Sequence, residues 1–205
     1  MGPQQDTGSW KGSTIVRLRL IIAGVVVSIL APSGAAPAEA FPATARPVYG
    51  APIDRTQVMV RALDWLRRDI PYSQNNRQGR WDLSHGRRYR PDCSGFVAMA
   101  WALDPRSPGL GRAPVTWELP RYADRVSWAR LRRGDILLRL VPANRAAEHV
   151  QLFAGWADPR RTRAWIIEQS SPAYGMRRKT VAVTAVRASY APYRYRKIRP
   201  GPASR

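Results

Sequence analysis

The stretch Pro91-Asp92-Cys93-Ser94-Gly95-Phe96-Val97-Ala98-Met99-Ala100-Trp101-Ala102-Leu103 reads as a helix with Asp92 as its cap, ended by Pro105. An aspartate is favoured there because its carboxylate accepts from backbone N–H groups that the first turn leaves unpaired. Phe96, Val97, Ala100, Trp101 and Leu103 recur at helical spacing and form the stripe expected to be buried. Cys93 falls in the first turn. A thiol attacks only as thiolate, and the partial positive charge of a helix start stabilises an anion. Asp92 would oppose that if its carboxylate faced the sulfur, so it is expected to face away. Gly95 removes bulk beside Cys93 and is expected to let a substrate backbone come close. The Cys93 N–H is then a candidate oxyanion donor.

Working outward, residues 56–69 place Val58, Met59, Ala62, Leu63, Trp65 and Leu66 at three- and four-residue spacing, which predicts an amphipathic helix ending before Pro71. Residues 73–90 are polar, basic and glycine-containing, and read as a long loop. Beyond the second helix, Gly134-Asp135 suits a turn into a strand. Strands are expected at 135–141, 149–156, 163–169 and 180–186. Two helices followed by a run of strands predict an α+β domain, with N-terminal helices packed on a mainly antiparallel sheet. Residues 187–205 carry basic side chains and no acidic ones, and read as a solvated, partly disordered tail.

A cysteine nucleophile needs a base that takes the thiol proton and returns it to the leaving amine. The chain has 2 histidines. His85 sits in the polar loop and reads as a solvated residue, whereas His149 opens the run His149-Val150-Gln151-Leu152-Phe153 at the mouth of a strand. A polar group must then orient the imidazole. Glu168 and Gln169 are both candidates, and because strand side chains alternate faces only one can point at the site.

Residues 1–40 have the layout of a signal peptide: basic Lys11, Arg17 and Arg19, an apolar run at 20–30, and the small-x-small pattern Ala38-Glu39-Ala40. The run is shorter than the roughly 20 residues of a membrane-spanning helix, so cleavage after Ala40 and no lasting membrane insertion are expected. Residues 41–55, rich in proline and alanine, read as a linker to a single domain over 56–186. Cys93 is the only cysteine, so an exported chain forms no internal disulfide, and an unpaired thiol there calls for a chemical reason. The net charge of +20 draws the chain to polyanions such as wall polymers or anionic lipid. No nucleic-acid motif accompanies it, so no nucleic-acid partner is expected. All but three of the basic residues are arginine, which codon bias in a GC-rich genome would also produce. A concentrated patch would favour docking; an even spread would favour the bias.

Asp92-Cys93-Ser94-Gly95-Phe96-Val97, Gly134-Asp135-Ile136-Leu137 and His149-Val150-Gln151-Leu152-Phe153, in this order, resemble the signature of the NlpC-type cell-wall cysteine peptidases of the papain-like/CHAP superfamily. The resemblance spans about residues 72–181. It implies a papain-like α+β fold and a Cys93, His149 and Glu168 constellation, with Glu168 where the family commonly carries histidine. It also implies peptide stems of peptidoglycan as substrate, no cofactor or metal, and a secreted or wall-associated monomer. Tyr72, in Pro71-Tyr72, resembles the family's substrate-lining tyrosine, and Asp92 and Ser94 would likewise touch substrate. The Trp-Gly-Gly that usually follows Pro-Tyr is replaced by Ser73-Gln74-Asn75. That departure, together with the charge, motivates the alternative of an inactive papain-like protein that binds anionic cell-wall polymers.

Overall fold

The computed structural model describes residues 46–106 and 111–199. The expected signal segment lies outside them. A short strand β1 (Ile53–Asp54) leads into helix α1 (Arg55–Arg67), a hairpin of β2 (Arg80–Trp81) and β3 (Arg88–Tyr89), and helix α2 (Cys93–Ala100). Strands β4 (Ala123–Arg125), β5 (Ile136–Arg139), β6 (His149–Trp156), β7 (Arg163–Gln169) and β8 (Met176–Ala182) follow. A short helix α3 (Val183–Arg187) and strands β9 (Ala191–Tyr195) and β10 (Ile198–Arg199) complete the described chain. Strands β4 to β9 form one sheet in the order β4-β9-β5-β6-β7-β8, with every neighbouring pair antiparallel. The fold is α+β, as the order of helices and strands predicts.

Helix α1 starts where Asp54 accepts from the Gln57 N–H at 2.7 Å while the Gln57 side chain accepts from the Asp54 N–H, a reciprocal cap that satisfies two otherwise orphan donors. Its buried face carries Val58, Met59, Ala62 and Trp65, together with Arg61, whose guanidinium donates to Asp82 at 3.0 Å and to the Met99 carbonyl at 2.8 Å. Burying that charge is tolerable because Asp82 neutralises it. Helix α2 is buried along its whole length. Trp101, just past its end, donates to the Gly134 carbonyl at 2.9 Å and so ties the helix to the turn before β5.

Alternation along the strands gives the sheet two apolar faces. Ile136, Leu138, Val150, Leu152 and Ile167 join the main core with α1 and α2. Leu137, Phe153, Ala164 and Ile166 join a smaller cluster closed by Val183 and Val186 of α3.

Four expectations are corrected. The linker does not run to residue 55, because β1 pairs in parallel with β10 and Gly50 donates to the Ala102 carbonyl at 2.8 Å. The polar loop at 73–90 holds the β2–β3 hairpin, anchored where Trp65 donates to the Trp81 carbonyl at 3.0 Å. The strand expected at 180–186 runs instead over β8 and gives way to α3. Residues 187–199 are no solvated tail: β9 lies inside the sheet between β4 and β5. Residues 200–205 are outside the description.

Candidate active site

The turn that opens α2 is built on Asp92. One carboxylate oxygen accepts from the Gly95 N–H at 2.8 Å and the other from Arg90 Nε at 2.6 Å. Arg90 also donates to Ser94 Oγ at 3.2 Å. The Asp92 charge is thus taken up by a cap and a buried guanidinium, which resolves the conflict with an anion at Cys93. Asp92 and Ser94 line the cleft, with their polar atoms engaged in this network. Gly95 corrects a further expectation: a Cβ there would collide with the Arg90 carbonyl oxygen. Glycine is required by the chain's own backbone rather than by an approaching substrate.

Cys93 is the sole cysteine, and its sulfur lies 3.6 Å from Thr116 Oγ1. Thr116 is held in a short 3-10 turn that Glu118 stabilises by accepting from the Val115 N–H at 2.9 Å and pairing with Arg112 at 2.8 Å. As a residue of the first helical turn, Cys93 has a backbone N–H without an intrahelical acceptor.

His149 is the first residue of β6, and its Nε2 lies 2.8 Å from Glu168 Oε2. That leaves Nδ1 as the ring nitrogen available to Cys93, which lines the same cleft. Burial by itself would lower the His149 pKa. Hydrogen bonding and charge interaction with Cys93 and Glu168 outweigh it and raise the value to about 9.

Glu168 is almost completely buried and accepts from four donors. His149 and Gln151, at 2.8 and 2.9 Å, share Oε2; Arg177 and Lys179, both at 2.7 Å, share Oε1. Burial would push its pKa up, but these partners hold it well below the usual carboxylate range. The strands explain the convergence. His149 and Gln151 alternate with Val150 and Leu152, Glu168 alternates with Ile167, and Arg177 is the cross-strand partner of Glu168, with Lys179 two residues on. Gln169 turns the other way and donates to the Ile70 carbonyl at 2.7 Å. Of the two candidates, Glu168 is the one brought to His149.

These groups line a cleft of about 720 Å³ with Tyr72, Thr116, Trp117, Arg139 and Tyr190 on its walls. Burial pushes the Tyr72 phenol up, and its neighbours Cys93 and Asp92 add to this. Its hydroxyl accepts from Gln74 at 2.9 Å. His85 lies outside the cleft, exposed in the hairpin turn at a φ of 52°. Sequence reasoning does not assign Gln151, Arg177, Lys179, Thr116 or Arg90 to the site. For Gln151 a signal existed, since it stands two residues beyond His149 on the same strand face. No family model matches the chain, and no curated protein matches it.

Proposed function

We propose that this chain is a cysteine hydrolase that cleaves amide bonds in the peptide stems of peptidoglycan, with the papain-like NlpC-type fold that its ordered motifs resemble. The observation that carries the reading is the convergence of Cys93, at the start of a buried helix, with the His149–Glu168 pair in one cleft. In this mechanism His149 holds the thiol proton and the sulfur attacks the amide carbonyl carbon. The oxyanion forms beside the Cys93 N–H. His149 then protonates the leaving amine, which departs and leaves a thioester on Cys93. Water, deprotonated by the same imidazole, attacks the thioester and releases the acid product and the thiol. Glu168 holds the ring and its charge, and no cofactor or metal takes part. The substrate rests on the resemblance of the motifs, and export rests on the character of residues 1–40.

The test is release of peptide fragments from purified peptidoglycan by the mature protein beside Cys93→Ala. Release from the parent and none from the variant supports the assignment. Equal release from both would end it.

A further inference from the structure

Beside the cleft, the smaller apolar cluster of the sheet is rimmed by Trp128, Trp156 and Tyr190. Each carries an arginine on its ring: Arg187 over Trp128 at 5.2 Å, Arg161 over Trp156 at 5.4 Å and Arg139 over Tyr190 at 5.2 Å. Arg161 also donates to the Ala129 carbonyl at 3.4 Å, which joins the two tryptophan pairs into one patch. None of the three guanidiniums has an ion-pair partner among the described residues. Asp158, in the same turn as Arg161, spends its carboxylate on the N–H groups of Thr162 and Arg163 and on the Thr162 hydroxyl. Tyr190 and Arg139 also line the cleft, so the patch abuts it.

A guanidinium stacked on an aromatic ring loses little freedom on binding, and the N–H groups it does not spend within the protein suit phosphate. Arg139 gives its Nε to the Ala147 carbonyl at 2.8 Å and Arg161 one Nη to the Ala129 carbonyl, which leaves each the rest of its donors. Three such groups spaced around one apolar cluster match a repeating anion better than a single small one. Nucleic acid carries the same phosphodiester charge, but no nucleic-acid motif accompanies these arginines in the sequence.

We infer that this face of the sheet docks a linear phosphodiester polymer without bases, of the poly(glycerol phosphate) kind found in bacterial walls. The inference does not depend on the catalytic assignment. Bound there, the polymer holds the protein on wall material with the cleft at the edge of the contact.

The test measures binding of fluorescently labelled poly(glycerol phosphate) by the full chain across a salt series, with oligo(dT) of equal charge as comparison. Two double variants are set beside the parent. Arg161→Gln/Arg187→Gln removes two stacked arginines from the patch, and Arg88→Gln/Arg178→Gln removes two that stack on Trp81 and Trp165 elsewhere. Unchanged thermal midpoints establish that both variants fold. The expected result is about tenfold weaker polymer binding and a shallower salt dependence for the first variant, with the second like the parent. Equal losses in both variants, oligo(dT) binding as tight as the polymer, or no polymer binding by the parent would each overturn the inference.

Discussion

His149 Nε2 and Glu168 Oε2 lie 2.8 Å apart between adjacent strands, and this contact decides which ring nitrogen is left for Cys93. The pair makes the imidazole a stronger base than its burial would allow. Followed by NMR, His149 is expected to titrate near pH 9. Glu168→Gln and Cys93→Ala should each bring the midpoint down, by about 1–3 pH units when the carboxylate charge is removed. A midpoint unmoved in both variants would show that the ring is coupled to neither group. Alkylation of Cys93 by iodoacetamide should slow in His149→Ala and, less strongly, in Glu168→Gln.

Glu168 also links stability to acid. Its folded pKa is depressed relative to a free glutamate at 4.5. The unfolded chain therefore binds the extra proton first, and the stabilisation present above about pH 4.5 is lost as pH falls towards the folded value. Denaturant unfolding between about pH 3 and 6 should show this loss, with a slope of up to roughly 1.4 kcal/mol per pH unit from this group. Glu168→Gln should flatten it. An identical slope in the variant would place the acid sensitivity elsewhere.

Gly95→Ala should be costly although the new methyl is small. The Arg90 carbonyl occupies the space, so the turn that carries Asp92 and Cys93 must shift. A loss of about 1–3 kcal/mol is expected, with Cys93 alkylation altered in the folded variant. Normal stability and normal alkylation together would refute the steric reading.

Asp135 is fully buried and receives Arg55 of α1 at 2.9 Å and Arg194 of β9 at 2.8 Å. Asp135→Ala strands two guanidiniums around an empty carboxylate site. A destabilisation of about 3–5 kcal/mol is expected in denaturant titration. A change below about 1 kcal/mol would mean that the arginines re-solvate freely.

Strands β6 and β7 were legible to the residue because each is a near-continuous run of apolar and β-favouring side chains bounded by turns. Helix α2 was legible from its cap and its stripe, though it ends at Ala100 rather than reaching Pro105. Strand β9 was not. Ala191-Pro192-Tyr193-Arg194-Tyr195 mixes proline with basic residues, which argues against an interior strand, and its place depends on tertiary partners such as Asp135 and Asp124. At the site, the residue types and the order of Cys93 and His149 could be read along the chain. The choice of Glu168 over Gln169 came only with the resemblance, because from the residues alone it depends on the faces that β6 and β7 share. Arg177 and Lys179 are visible only once β8 is paired with β7.

The interior position of β9 also imposes a sequence of events at synthesis. Strands β4 to β8 leave the ribosome before β9, yet β4 and β5 have no shared neighbour until residues 191–195 emerge and insert between them. Such non-local pairing is slow and comes late. The nucleophile and its base are therefore translated well before the sheet that frames them can close, so a nascent chain carries its reactive groups while still lacking a finished cleft.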